Sequence, residues 1–402
     1  MRLGRRDRAI AAVVAVACLF AGIGLAIATS QNRRPIGDTL EVFSHSSYPP
    51  AAVYVDDYQQ GITVTAKAAV LMDTTTGTIL YGKNEHQRRD PASTTKVMTA
   101  ILALELGKPD DIVTVSSRAA WTHGSSLDLR PGDRLALSEL IKGMMLVSGN
   151  DGSVAIAEHI AGSTSRFAEM MTLRARQIGA YNTSFRNPHG LTAVNHYSTA
   201  YDLAMMTRHA MTYPEFLAIT STASDTMRYE DGRVQPIHNT NKLLWSLPGA
   251  DGVKTGTTTA AGQCLIASAT RDSWQLIAVV LASGSRWSDA QRLLEYGFSS
   301  FVRKLLASRG DVVAEVAVES GSSQSVAAVA EDDLLVTVRR EHEGLVQLVV
   351  DLPDAIRAPV RMGSKIGELV AQIDGVDIGS ANLVAGWSVR RRGLVGILFD
   401  RF

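Results

Sequence analysis

The chain has 402 residues, of which 46% are hydrophobic, and its 40 Lys+Arg balance its 40 Asp+Glu. This length predicts two folded domains with tails, and the hydrophobic fraction is typical of a globular protein and not of a disordered one. The balanced charge gives no indication of a nucleic-acid partner. One of the two cysteines, Cys18, lies in an N-terminal apolar run, which excludes a disulfide framework.

The N-terminus has the pattern of a targeting segment. Four arginines in the first eight residues precede an apolar run that ends near Ala28, and Ala26-Ile27-Ala28 is a small-x-small cleavage site. If left uncut, this run is long enough to span a bilayer. We therefore predict a signal peptide or N-terminal membrane segment over residues 1–30 and a linker over 31–62. Either form places the rest of the chain outside the cytoplasm.

The next region predicts an α+β domain over residues 63–304. Residues 66–81 alternate and turn at Thr75-Thr76-Gly77, which favours a two-stranded hairpin. Helical periodicity follows over residues 93–106, 135–145, 154–160, 167–178 and 198–212. Strand-type runs cover 252–257, 262–270 and 275–283, before a helix at 289–301. Helices inside a chain that begins and ends in strands indicate an antiparallel sheet with a helical cluster.

Two smaller regions follow. Residues 308–385 contain short β-type runs separated by Gly, Asp, Pro and Ser, which predicts a small all-β domain. In residues 386–402, apolar side chains from Trp387 to Phe402 fall on one side of a helix that starts with three arginines. Such an amphipathic segment can lie on an anionic membrane surface. A helix packed on the β domain and a frayed tail are the alternatives.

Three short motifs occur in one order along the chain. They are Ser93-Thr94-Thr95-Lys96, Ser148-Gly149-Asn150 and Lys254-Thr255-Gly256. Ser-x-Asn occurs three times and is weak alone, whereas Ser-x-x-Lys and Lys-Thr-Gly each occur once. Together they supply two serines, two lysines and an amide, which are the functional groups of an acyl-transfer site that works without histidine.

Ser93 and Lys96 form the first candidate pair. Ser93 follows Pro91-Ala92 at the predicted start of a helix, where its N–H can face a developing oxyanion. Lys96 lies one turn later on the same face. It can act as a base only when neutral, so its pKa must fall by about three from ~10.4. Burial and the second cation, Lys254, would do this. A helix N-cap and a solvated lysine are the structural alternative.

The second motif lies in a predicted turn between two helices. Ser148 can relay a proton to a leaving amine, and the Asn150 amide can bind a carbonyl or orient Lys96. The alternative is a plain turn in which Asp151 caps the next helix.

The third motif lies on a predicted strand whose edge can pair with an extended peptide. Gly256 permits close approach of a ligand, and Thr255 can bond a terminal carboxylate. The N–H of Thr257 is a candidate second oxyanion donor.

These residues resemble the penicillin-recognising serine enzymes. More narrowly, they resemble the low-molecular-mass penicillin-binding proteins that act as D-alanyl-D-alanine carboxypeptidases. The resemblance covers about residues 66–301, and the β domain and terminal segment match the family layout. The narrower match rests on Asp90-Pro91-Ala92, Asn187-Pro188-His189-Gly190-Leu191, His196-Tyr197-Ser198-Thr199-Ala200 before Asp202, and Gly252-Val253 before Lys254.

The resemblance implies a β-lactamase-like, serine transpeptidase-like fold and roles for individual residues. Ser93 would be the acylated nucleophile, Lys96 its base, and Ser148 and Lys254 the proton-transfer partners. Substrate would be bound by Asn150, Thr255, Gly256, Thr257 and, through its cationic side chain, Arg286. The implied reaction removes the terminal D-Ala from peptidoglycan stem pentapeptides outside the cell membrane, without metal or cofactor. β-Lactams would acylate Ser93 instead.

Other functions make distinguishable predictions. A class A-type β-lactamase needs a glutamate in a loop past the second motif, but residues 181–191 contain none, and it lacks an appended β domain. A D,D-transpeptidase or endopeptidase would use the same residues with another acceptor or substrate. A silent peptidoglycan-binding module would not need all five chemical groups. A metallopeptidase is disfavoured because none of the nine histidines forms His-Glu-x-x-His.

Overall fold

The computed structural model describes residues 61–393. The predicted export signal, most of the predicted linker and residues 394–402 lie outside the described residues. Nine strands belong to the first domain: β1 (Ala68–Asp73), β2 (Ile79–Lys83), β3 (Ile112–Thr114), β4 (Arg134–Ala136), β5 (Ser224–Arg228), β6 (Val234–His238), β7 (Ala250–Thr258), β8 (Gly262–Arg271) and β9 (Trp274–Ser283).

A five-stranded sheet with the order β2-β1-β9-β8-β7 organises this domain, and all of its neighbouring strands are antiparallel. β1 is buried at every position and β9 at nearly every one, because both faces of the sheet are covered. This is why they read as continuous hydrophobic runs. β7 lies at the sheet edge, and it carries the Lys-Thr-Gly motif.

Helices cover the two faces. They are α1 (Lys96–Leu106), α2 (Ser117–Ala120), α3 (Leu137–Leu146), α4 (Asn150–Ala161), α5 (Thr164–Gln177), α6 (Ala200–Ala210), α7 (Pro214–Thr220), α8 (Leu243–Ser246) and α9 (Arg286–Ser300). α9 packs on one face through Leu293 and Leu294, and α6 contacts β1 and β9 from the other. None of the helices between residues 61 and 393 has the length and apolarity to cross a bilayer.

α1 lies at the centre of the helical cluster, in contact with α3, α4, α5 and α6. Its residues from Lys96 to Ala103 are all buried, so it is apolar on almost every side. A helix buried all round cannot shift without repacking its neighbours. Lys96, the first residue of α1, is therefore held by a rigid element.

The second domain is all-β, as predicted. Its strands are β10 (Phe301–Ala307), β11 (Val312–Glu319), β12 (Ser325–Ala330), β13 (Leu334–Arg339), β14 (Gln347–Asp351), β15 (Ala355–Arg357), β16 (Lys365–Ile373) and β17 (Val376–Ala385). Six of them form a sheet in the order β14-β16-β17-β12-β11-β15, and β10 pairs with β13. The α+β fold with an appended β domain is thus confirmed.

The boundary between the domains differs from the predicted one. Residues 301–304 were assigned to the first domain, but α9 ends at Ser300 and the chain continues as β10. β10 pairs with β13 along Phe301 to Ala307, so these residues complete a sheet of the β domain.

The predicted helix near the C-terminus does not begin at Trp387. Val389 is buried in the β-domain core and pairs with Val360, while Arg391 pairs with Gly321. Burial of Val389 and these backbone hydrogen bonds hold residues 388–391 extended. The remaining part, 394–402, lies outside the described residues.

A buried carboxylate joins the two domains. Asp73, at the end of β1, accepts hydrogen bonds from Trp274 Nε1 (2.8 Å) and from Thr337 Oγ1 of β13 (2.5 Å). Arg303 adds bonds to Thr75 Oγ1 and to the Ser273 carbonyl. A buried carboxylate satisfied from both domains fixes their junction.

Candidate active site

Ser93 lies in a short 3-10 turn, Ala92–Thr95, that precedes α1. The sequence predicted an α-helix from Ser93, whereas α1 begins at Lys96. Ala92 has a φ of +49°, a strained conformation for a residue other than glycine. The Thr94 hydroxyl and N–H both bond the Pro91 carbonyl and hold this turn. A strained backbone conformation that is held by its surroundings is common at functional sites, where a side chain must face the substrate.

Lys96 is fully buried, and its Nζ has three partners. It lies 3.0 Å from Ser93 Oγ, 2.7 Å from Asn150 Oδ1 and 2.8 Å from the carbonyl oxygen of His189. A neutral amine has two N–H donors and one lone pair. The two carbonyl-type oxygens can only accept, so the lone pair is left for the Ser93 hydroxyl. This arrangement suits a base that withdraws the serine proton.

The electrostatics favour that neutral form. Burial lowers the pKa of Lys96 well below its usual value, and the positive charge of Lys254 lowers it further, while Asp151 acts in the opposite direction. Burial also lowers the pKa of Lys254 to about 7, with a contribution from Arg286. Within residues 61–393, Lys254 Nζ is a buried atom without a hydrogen-bond partner. An unpartnered buried ammonium indicates a group that meets its partner when substrate binds.

Asn150 is held on three sides. Its N–H bonds the Ser125 carbonyl (2.7 Å), its Nδ2 bonds the His123 carbonyl (2.6 Å), and its Oδ1 accepts from Lys96. Its amide orientation is therefore fixed by the loop after α2. Ser148, two residues earlier, is buried and adopts a φ of +74° between α3 and α4. Asn150 thus contacts Lys96 directly, and Ser148 lies two residues before it in the chain.

Asp151 lies in the first turn of α4, where its carboxylate accepts from the Gly152 N–H (2.9 Å), but it also bonds the preceding loop. Its carboxylate accepts hydrogen bonds from Ser126 Oγ (2.7 Å) and from the N–H groups of Leu127 and Leu129. It therefore orders the loop that also supplies the Ser125 and His123 carbonyls. The sequence did not reveal this role.

The Lys-Thr-Gly strand lies against the nucleophile turn. A Cβ on Gly256 would lie 3.0 Å from the Ser93 nitrogen and 3.2 Å from the Pro91 carbonyl oxygen. A larger residue would therefore push the strand away from Ser93. The neighbouring Thr255 hydroxyl lies 2.7 Å from Thr240 Oγ1, which fixes its direction.

Arg286 lies at the end of this strand. Its guanidinium donates to the Gly256 carbonyl (3.0 Å) and to Thr257 Oγ1 (2.8 Å). Its Nε is buried and, within the described part of the chain, has no hydrogen-bond partner. The structure therefore brings Arg286 to the Lys-Thr-Gly strand, where its charge can attract an anionic group.

The loop from Asn187 to Leu191 borders the site next to Lys96. Asn187 bonds the N–H of Gly190 and the carbonyl of Leu191, and Thr99 bonds the Pro188 carbonyl. Gly190 has a φ of +89°, and a Cβ there would lie 1.8 Å from the Ala92 carbonyl oxygen. Only glycine fits this position, which sets the His189 carbonyl beside Lys96.

The two histidines near the site are neutral structural groups. His196 Nδ1 accepts from the Arg186 N–H, so its Nε2–H donates to Thr95 Oγ1. Burial lowers the pKa of His196 to about 4 and the pKa of His189 to about 3. Residues 61–393 contain no group of three or more His, Cys, Asp or Glu placed to hold a metal ion.

Fold and geometry together match a serine acyl-transfer protein in which a buried lysine lies beside the serine. Comparison with known proteins then identifies the family. The family model described as D-alanyl-D-alanine carboxypeptidase matches residues 55–285, and the C-terminal domain of penicillin-binding protein 5 matches residues 301–391. The chain belongs to this carboxypeptidase family.

Individual relatives agree with this assignment. The chain is 36% identical over 342 residues to the D-alanyl-D-alanine carboxypeptidase DacF of Bacillus subtilis, covering 83% of this chain and 88% of that protein. The crystal structure of penicillin-binding protein 5 from Haemophilus influenzae is similar with a TM-score of 0.74 at 34% identity, covering 82% of this chain and 99% of that one. A mutant of the Streptomyces K15 DD-transpeptidase, with a TM-score of 0.57 at 32% identity, covers only 59% of this chain and 99% of that one.

Proposed function

We propose that this protein is a serine-type D-alanyl-D-alanine carboxypeptidase that removes the terminal D-Ala from peptidoglycan stem pentapeptides. The observation that carries the proposal is the buried Lys96 Nζ, 3.0 Å from Ser93 Oγ. The lowered pKa of Lys96 supports its role as the base. The family membership supports the substrate class.

Acylation follows from these positions. Ser93 Oγ attacks the carbonyl carbon of the penultimate D-Ala as its proton passes to Lys96 Nζ. The N–H groups of Ser93 and Thr257 are the proposed donors to the oxyanion, and the closeness of Gly256 to the Ser93 nitrogen places these two segments together. The C–N bond then breaks and leaves an ester on Ser93.

The leaving D-Ala needs a proton on its amine and a site for its carboxylate. We assign proton delivery to Ser148 and Lys254, since Ser148 lies two residues before Asn150, which bonds Lys96, and Lys254 Nζ has no hydrogen-bond partner within residues 61–393. Thr255 and Arg286 are assigned to the carboxylate. Arg286 supplies a charge at the strand end, and the Thr255 hydroxyl is held in place by Thr240. Water then hydrolyses the ester, with Lys96 again in reach of Ser93 Oγ.

The same pocket explains why β-lactams are expected to acylate Ser93. They present an amide carbonyl and a carboxylate to the same groups as the D-Ala-D-Ala terminus does. Because acyl transfer begins before the acceptor enters, this expectation does not depend on whether water or an amine completes the reaction.

Product analysis tests the proposal. The protein is incubated with a pentapeptide muropeptide, and the products are identified by mass. Loss of one D-Ala, absent in Ser93→Ala, is the expected result. Loss of D-Ala by the Ser93→Ala variant would contradict the assignment of the nucleophile.

A D,D-transpeptidase is the second candidate, because the Streptomyces K15 DD-transpeptidase shares the catalytic domain's fold. That match covers 59% of this chain, whereas the match to penicillin-binding protein 5 covers 82% of it. We therefore favour hydrolysis. Adding an excess of glycine amide or a second muropeptide to the same assay separates the two functions, since a transpeptidase forms a cross-linked or amide product.

We further propose that the protein acts at the outer face of the cell membrane. The arginines before the apolar run of residues 9–28 support export, and the apolar run of residues 394–399 supports contact with the membrane. Cell fractionation and N-terminal sequencing of the mature protein test both expectations.

A further inference from the structure

The chain segment after the last strand forms part of a charged surface on the β domain. Val389 and Val360 bond each other through both N–H groups at 2.9 Å. The Arg390 N–H reaches Ser322 Oγ, and its carbonyl accepts from the Ser322 N–H. Residues 388–391 thus lie between two segments of the β domain, and hydrogen bonds of their backbone hold them to both.

A groove of about 650 Å³ opens beside this segment. Its walls include Arg357, Pro359, Arg361, Ser364 and Lys365. Because Val389 pairs with Val360, Arg390 lies across from Pro359 on the neighbouring strand. We call this surface the basic groove: Arg357, Arg361 and Lys365 line it, and Arg390 lies beside it on the neighbouring segment.

Three of the four cations that define the basic groove form no ion pair in the part of the chain that the structure describes. Within residues 61–393, Arg357, Arg361 and Arg390 form no ion pair, and each is exposed. Lys365 pairs with Glu368. Glu319 on β11 lies opposite Arg357 in the strand pairing, but the two side chains form no ion pair. Three unpaired arginines around one open groove favour an anionic partner.

Apolar side chains flank the same groove. Met362 is 71% exposed and Trp387 is 42% exposed. The Met362 N–H bonds Ser388 Oγ, which brings Met362 next to the segment that contains Trp387. Tryptophan is enriched where a protein meets the membrane–water interface. The chain also continues from Gly393 into Leu394-Val395-Gly396-Ile397-Leu398-Phe399, an apolar sequence.

We propose that the basic groove binds the phosphate headgroups of an anionic lipid surface. The β domain itself, and not only the C-terminal segment, then contacts the membrane. Exposed Met362 and Trp387 favour a lipid surface over a soluble phosphate, which would need no apolar rim. This inference rests on the proposed membrane location, and it is independent of the chemistry at Ser93.

The test compares binding of the full chain to vesicles of phosphatidylcholine with and without phosphatidylglycerol. Each arginine near an anionic surface contributes about fivefold to the partition coefficient, so three contribute roughly 100-fold at low salt. We expect the triple variant Arg357→Gln, Arg361→Gln, Arg390→Gln to lose at least about tenfold on anionic vesicles. A matched triple of exposed arginines elsewhere, Arg176→Gln, Arg228→Gln, Arg309→Gln, has the same net charge and should lose much less.

A chain that ends at Gly393 separates the groove from the terminal segment. We expect it to keep a preference for anionic vesicles, and we expect the groove triple to abolish that preference. Equal losses in the two triples would overturn the inference, as would a truncated chain that shows no anionic preference. Stronger binding to soluble polyphosphate than to vesicles would also overturn it. D-Ala release from a soluble peptide, measured for every variant, reports on the proposed reaction separately.

Discussion

Replacing Lys254 with Met should make the protein more stable while impairing its reaction. Lys254 is fully buried, and within residues 61–393 its ammonium has no hydrogen-bond partner. Burial lowers its pKa from 10.5 to about 7. Between these values the unfolded chain binds a proton that the folded chain does not. The stability of the wild type therefore rises with pH across this window.

The magnitude follows from the same numbers. At ~1.36 kcal/mol per pH unit, the difference between 10.5 and about 7 corresponds to about 5 kcal/mol of destabilisation below pH 7. Relaxation and water penetration reduce such values, so we expect a gain of roughly 2–4 kcal/mol in Lys254→Met at neutral pH. Methionine fills similar space without a charge, and thus leaves no large cavity.

Urea unfolding of both proteins between about pH 6 and pH 9 measures this difference. The advantage of the variant should shrink as pH rises above about 7, whereas the exposed control Lys67→Met should show no such trend. A variant that is no more stable at pH 7, or an advantage that does not depend on pH, would refute the reasoning. Acylation by fluorescent penicillin should fall strongly in Lys254→Met and remain normal in Lys67→Met.

Three further predictions concern the same framework. Gly190→Ala should reduce acylation by roughly 100-fold, because its Cβ would lie 1.8 Å from the Ala92 carbonyl oxygen and displace the Ser93 turn. The control Gly232→Ala, where φ is similar but nothing lies within 4 Å of the added Cβ, should keep normal acylation. In Lys254→Met the acylation rate should need a higher pH, since loss of the Lys254 charge raises the pKa of Lys96 and a protonated Lys96 cannot act as the base; an unchanged midpoint in a pH–rate profile would contradict this. Thr337→Val should destabilise the protein by about 1–3 kcal/mol in thermal or urea unfolding, because Asp73 loses a buried donor. Penicillin labelling should be unaltered. An unchanged stability would contradict the role of Asp73 in holding the two domains together.

The fold was predictable because the sheet has a simple hydrophobic signature. β1 and β9 are buried on both faces, so their sequences are nearly continuous apolar runs, which mark them as strands although β1 lacks the alternation predicted for residues 66–81. The candidate site could be proposed from sequence because three motifs in a fixed order name its side chains. The structure brings Ser93, Lys96 and Asn150 within hydrogen-bond distance and places Gly256 against Ser93.

The groups that escaped prediction are mostly backbone groups. The carbonyls of His123 and His189 fix Asn150 and Lys96, but a carbonyl exists at every residue and leaves no mark in the sequence. The strained φ of Ala92 and the loop-ordering role of Asp151 likewise depend on contacts between distant segments. Such contacts follow from tertiary structure and not from local propensity.

The C-terminal segment shows how tertiary contacts override periodicity. Apolar residues from Trp387 onwards matched one side of a helix, yet Val389 docks into the β-domain core and its backbone pairs with Val360. A short segment with two glycines has little helical propensity to oppose these bonds. The arginines that follow therefore join a surface of the β domain.

The central claim is that Ser93, activated by Lys96, becomes acylated by a D-Ala-D-Ala terminus. The direct measurement treats wild type and the Ser93→Ala variant with benzylpenicillin, locates the adduct by tandem mass spectrometry, and quantifies D-Ala released from diacetyl-L-Lys-D-Ala-D-Ala in parallel. The account predicts an adduct on Ser93 alone in the wild type, and neither adduct nor D-Ala release in the variant. An adduct on another residue, or D-Ala release by the Ser93→Ala variant, would contradict it.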